Sequence, residues 1–154
     1  MSEKLVLRQK SGFDTEIWAA DPHDPESEEL KPVEHVFGLS PYGMLLASLA
    51  GCTAVLLTTY AQNHQIGLKE VELRLDFARV FEEDCQHCED TDEYEEVIDE
   101  EIVFKGDLTP AQRDKLFAVS HHCPIHRMVQ EGIQVRSRMG DASQSGKRLK
   151  KGDR

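Results

Sequence analysis

Cations are in short supply along this chain. Lys and Arg number 18 against 29 Asp and Glu, giving a formal net charge of −11 and a pI near 5.0. Phosphate backbones are gripped by clustered Lys and Arg, so the balance excludes a general nucleic-acid binder and points to small molecules or proteins as partners. The opening Met1-Ser2-Glu3-Lys4 carries no apolar h-region, so no secretory leader is expected. No run is expected to reach the ~20 apolar residues that cross a bilayer. No repeat at a fixed period is visible. These absences point to a soluble, cytoplasmic protein with no membrane partner, in a compartment where thiols stay reduced. With 154 residues the chain suits one domain.

Charge is unevenly spread. Residues 82–101 hold twelve acids without a single Lys or Arg, whereas Asp141 to Arg154 sets five cations against Asp141 and Asp153. That final stretch is rich in Ser, Gly and Lys and buries little, so 1–139 is read as the folded domain and 140–154 as a disordered basic tail.

The patterning is that of an α+β protein. Leu5-Val6-Leu7 and Phe13 to Trp18 flank a Ser11-Gly12 turn and read as an opening hairpin. An acidic loop with Pro22 and Pro25 follows, and a strand is expected over 33–37. Ser40-Pro41 then signals a helix start, with the helix running to about Gln65. Between Met44 and Leu57 only Ser48, Gly51 and Thr53 interrupt the apolar residues, so this rod needs cover on nearly every face. A homodimer in which two such helices meet would supply it. Val71, Leu73, Leu75 and Phe77 alternate with polar residues as a half-buried strand, and 95–105 reads as its antiparallel partner. Thr109-Pro110 starts a second helix, Cys123-Pro124 a third, and a last strand is expected over Ile133–Arg138.

Chemistry gathers on the cysteines. Cys52 lies in the apolar helix, where a thiol is either an inert core residue or, beside a cation, a nucleophile. Arg8, Arg127 and a protonated His121, His122 or His126 are the candidate cations. Cys123 sits at a helix start, where free amides and the macrodipole favour the thiolate, with His126 and Arg127 one turn on. Cys85-Gln86-His87-Cys88 has the spacing of a redox dithiol or half a zinc site. No second C-x-x-C completes it, and Cys85, Cys88 and His87 are the only metal candidates, for zinc.

The stretch Ser40-Pro41-Tyr42 through Leu45 to Thr53, with Cys123-Pro124-Ile125-His126-Arg127 roughly seventy residues later, resembles the OsmC/Ohr family of osmotically inducible and organic hydroperoxide resistance proteins. The resemblance covers roughly residues 12–139. It implies an intertwined α+β homodimer with a long central helix and sites at the subunit interface. It also implies reduction of organic hydroperoxides without a required cofactor. Cys52 would be the peroxidatic thiol and Cys123 the resolving one, with an external dithiol restoring both. Leu45, Leu49 and Leu56 would form an apolar wall favouring organic peroxides. One departure stands out. The family usually carries a glutamate nine or ten residues before the first cysteine, orienting an arginine that activates the thiol, and here those positions are Gly43 and Tyr42. Glu34 or a partner's acid is the expected substitute, Arg8 the candidate arginine. A non-enzymatic small-molecule or metal-binding dimer on the same scaffold is the alternative.

Overall fold

The computed structural model describes residues 2–24, 27, 29–35, 38–81 and 94–140. The C-x-x-C segment with Cys85, His87 and Cys88 and the basic tail beyond Gly140 lie outside the described residues.

Five antiparallel strands form one sheet in the order β3-β2-β1-β4-β5. They are β1 (Ser2–Lys10), β2 (Thr15–Ala20), β3 (Leu30–Pro32), β4 (Leu68–Phe81) and β5 (Tyr94–Gly106). Helix α1 (Pro41–Asn63) crosses one face, while α2 (Pro110–Ser120) and α3 (Pro124–Glu131) pack against α1. The opening hairpin, the long helix, the β4–β5 pair and both later helix starts match the sequence patterning. Of the strand expected over 33–37, residues 33–35 form none and 36–37 lie outside the described residues; β3 stands just before them.

Period-2 alternation decides which face of the sheet carries the core. Leu5 and Leu7 of β1 and Val71, Leu73, Leu75 and Phe77 of β4 are buried against α1, which contributes Leu46, Leu49, Ala50, Ala54 and Leu57. At ~1.5–3 kcal/mol for each large side chain taken from water, this layer is the chief source of stability. One polar pair joins it, Thr58 Oγ1 donating to Gln9 Oε1 at 2.9 Å in the buried interior. Arg8, offset by one residue, points to the opposite face.

Side-chain caps fix the helix starts. Ser40 Oγ accepts from the Gly43 amide at 2.9 Å and donates to Glu3 Oε1 at 2.6 Å. Thr109 and Gln112 form a reciprocal capping box at α2. Gly106, at φ 142 before the turn into α2, is required as glycine, because a Cβ there would lie 2.2 Å from the Gly67 carbonyl oxygen.

Two expectations are corrected. Ile133–Arg138 forms no strand, and Ile133 and Val135 stand 68% and 83% exposed. Their alternation is real, but they pair with none of the described strands. Helix α1, expected to lack the apolar length of a membrane span, has that length and composition. Its packing on the sheet accounts for its apolar character, although Met44, Leu45 and Val55 on its far side remain 38%, 40% and 47% exposed.

Candidate thiol site

Cys52 and Cys123 meet where α1 passes the start of α3. Both are free thiols, close enough for Cys123 to act on the ionisation of Cys52. Exposure runs opposite to the sequence expectation. Cys52, in the apolar helix, keeps partial solvent contact, whereas Cys123, among the histidines, is fully buried. The reason is local: Leu49 and Leu57 carry the core-facing side of α1, while Cys123 turns inward as the N-cap residue of α3.

Helix α3 also supplies a polar contact. Cys123 makes no side-chain cap and Pro124 has no N–H, so Ile125 offers the first free amide of the helix. That amide lies near enough to the Cys52 sulfur to favour its thiolate. Burial acts the other way and is the larger effect. Reinforced by the neighbouring Cys123 thiol, it raises the Cys52 thiol above its ordinary value, and no cation is among the influences on it.

The candidate cations lie elsewhere. Arg8 Nε donates to Glu72 Oε2 at 2.7 Å on the outer face of the sheet, and its guanidinium lies 4.8 Å from the Trp18 ring centroid. Arg127 points to solvent with Glu131 at 3.7 Å. His122 is exposed. His121 Nδ1 donates to the Phe117 carbonyl at 3.0 Å and meets the His126 ring edge-on at 5.7 Å. His126 Nδ1 is buried without a hydrogen-bond partner among the described residues.

The carboxylate sought near position 43 is present, but it comes from β1. Glu3 Oε1 accepts from Ser40 and lies 3.3 Å from where a Cβ on Gly43 would stand. Glu34 is exposed. Tyr42 stacks on Phe77 at 4.7 Å, and its hydroxyl accepts from Arg79 Nη2 at 2.8 Å. Arg79 also pairs with Glu96 at 3.1 Å. Glu3, Tyr42 and Arg79 therefore gather at the start of α1, about 15 Å along the helix from Cys52 at 1.5 Å rise per residue.

Beside the thiols, a cleft of about 460 Å³ opens between α1, β5 and α3. Leu45, Leu49, Phe77, Ile98, Glu100 and His126 are in its lining; neither sulfur is. Leu49 is one turn from Cys52 and His126 one turn from Cys123, so the cleft and the thiol pair are neighbours. Glu100 went unnoticed in the sequence, although Ile98, Glu100, Ile102 and Phe104 share one parity and therefore one sheet face. Among the described residues no three His, Cys, Asp or Glu converge to hold a metal ion.

The family model described as OsmC-like protein matches residues 33–138. No curated protein matches significantly. Among solved structures, the chain is similar to an OsmC-like hydroperoxide resistance protein from Jannaschia sp. CCS1. Identity is 14% over 92% of this chain and 95% of that one, with a TM-score of 0.57, a likeness of fold.

Proposed function

From the premise that this chain belongs to the OsmC-like protein family, we propose that it is a dithiol peroxidase for organic hydroperoxides, with Cys52 attacking and Cys123 resolving. The observation that carries the reading is the proximity of these two thiols, drawn together from far apart in the chain. Their exposures support the division of labour. The partly accessible thiol reaches an incoming peroxide, and the buried one waits behind it.

The Cys52 thiolate attacks the terminal peroxide oxygen and breaks the O–O bond. The alkoxide takes a proton and leaves as an alcohol, and Cys52 becomes a sulfenic acid. The Cys123 sulfur displaces hydroxide from that sulfenic sulfur, water is released and a disulfide forms. An external dithiol then reduces the disulfide by two exchange steps. Ile125 N–H stabilises the attacking anion, and the reaction needs no cofactor. Two free thiols in contact suit the cytoplasm, a reducing compartment.

The thiolate still needs a cation. In this reading the protein is an intertwined homodimer, the uncovered side of α1 with Met44, Leu45 and Val55 meeting a second copy. Arg79, held by Tyr42, replaces Arg8 as the arginine offered to a thiol across that interface. Arg127 and His126 lose their assigned roles at Cys52. The raised Cys52 thiol favours a second reading, a binding protein without turnover.

Mixing the reduced protein with cumene hydroperoxide separates the two. The peroxidase reading expects loss of two thiols per peroxide consumed, abolished by Cys52→Ser. An inert Cys52 in the wild-type dimer leaves the binding protein.

A further inference from the structure

The two sulfurs differ in what can reach them. Cys123 is 0% exposed and belongs to the core with Leu116 and Val119 of α2. Its backbone is tied on both sides: the Cys123 amide donates to the Ser120 carbonyl at 3.2 Å, and the Cys123 carbonyl accepts from the Arg127 amide at 3.1 Å. Pro124 fixes the next φ. Turning this sulfur outward would therefore undo the junction between α2 and α3. Cys52, in the middle of α1, keeps partial solvent contact. All the cover on Cys123 comes from its own chain, and a second copy can only add to it. Assembly therefore cannot open Cys123.

We infer that the external dithiol attacks the oxidised protein at Cys52, by the path the peroxide uses, so that the mixed disulfide forms on Cys52 and Cys123 is the leaving sulfur. The inference rests on the peroxidase reading, because it concerns the disulfide that reading creates. In thiol–disulfide exchange a thiolate approaches one sulfur from the side opposite the other, and access decides which sulfur is attacked. With Cys123 walled in by its own chain, Cys52 is the sulfur left to attack. In the first step the reductant's thiolate bonds to the Cys52 sulfur, the bond between Cys52 and Cys123 breaks, and Cys123 takes the electron pair and then a proton. In the second, the reductant's other thiolate attacks its own bound sulfur, releasing Cys52 as a thiolate and the reductant as a cyclic disulfide. Electrons pass from the dithiol to the protein, and both protein thiols are restored. One path and one sulfur then serve both substrates, so peroxide and reductant exclude each other and react by turns.

The experiment traps the first step. The full chain is oxidised with cumene hydroperoxide and, in a separate sample, with diamide. Each sample is mixed briefly with 2-mercaptoethanol, quenched in acid, alkylated with N-ethylmaleimide and mapped by peptide mass spectrometry, which separates the Cys52 and Cys123 peptides from that of Cys85 and Cys88. The mercaptoethanol adduct is expected on Cys52 with Cys123 alkylated, exceeding the reverse pattern roughly tenfold or more. Adducts on Cys123, or shared evenly, would overturn the inference. A second measurement needs no disulfide. Ellman's reagent should label Cys52 in Cys123→Ser roughly a hundredfold faster than Cys123 in Cys52→Ser, and denaturant should abolish the difference. Equal rates in the folded variants would overturn the inference too. Thermal melts establish that each variant is folded, and the wild-type trap decides alone where one is not. A bridge closed by diamide but not by cumene hydroperoxide would remove the peroxidase reading, with the diamide sample still deciding which sulfur is attacked. No bridge with either reagent would remove both.

Discussion

Arg8 Nε donates to Glu72 Oε2 at 2.7 Å on the sheet face turned away from the thiols. Arg74 and Lys105 bind the same carboxylate at 2.6 Å and 3.1 Å, so three cations surround a side chain that is itself 3% exposed. The arginine of the opening segment is thus committed to the outer surface of the sheet, and Cys52 draws no stabilisation from it.

The Glu72 cluster makes stability acid-sensitive. Burial raises the carboxyl, but hydrogen bonds from Arg8, Arg74 and Lys105 outweigh it and hold it down to about 2. A depressed carboxylate contributes stability above its unfolded value of ~4.3, and loses it as pH falls through the folded value. Urea midpoints should decline between pH 4.5 and 2. In Glu72→Gln, stability at pH 7 should drop by about 2 kcal/mol, with a smaller difference from wild type at pH 2.

Thr53 Oγ1 is fully buried beside Cys52 without a partner among the described residues. Thr53→Val removes the unsatisfied hydroxyl and keeps the branched shape, so it should raise stability by about 1 kcal/mol, or roughly 2–4 °C in Tm. A loss of stability on calorimetry would mean that the hydroxyl has a partner.

Assembly should govern thiol reactivity. Val55→Glu places a charge on the uncovered side of α1 and should give a monomer by sedimentation, whereas the wild type should sediment as a dimer. In the monomer, burial keeps Cys52 protonated, and its alkylation rate should climb roughly tenfold per pH unit from 7 to 9 without a plateau. In the dimer the profile should level off at lower pH, and Arg79→Gln should return it to the monomer's. Identical profiles in all three would remove Arg79 from the account.

Much of this architecture is legible in the sequence because it rests on local signals. Ser40-Pro41 and Thr109-Pro110 place two helix starts by side-chain capping. The alternation from Val71 to Phe77 fixes β4. Even the outward course of Arg8 is written in Leu5-x-Leu7-x-Gln9, whose parity excludes it from the helix side. What escapes is non-local. Glu3 reaches Ser40 from 37 residues away, and nothing in the helix sequence announces it. The exchange of exposures between Cys52 and Cys123 depends on which side of α1 the sheet covers. Ile133 and Val135 alternate as a strand does, but pairing requires an edge that lies on another element or another chain.

The most direct test of the central claim is a non-reducing peptide map after one equivalent of cumene hydroperoxide. The account predicts a single new intramolecular bridge joining the Cys52 and Cys123 peptides, reversed by dithiol. Cys52 accumulating as a sulfinic acid while Cys123 stays free, or a bridge confined to Cys85 and Cys88, would contradict it.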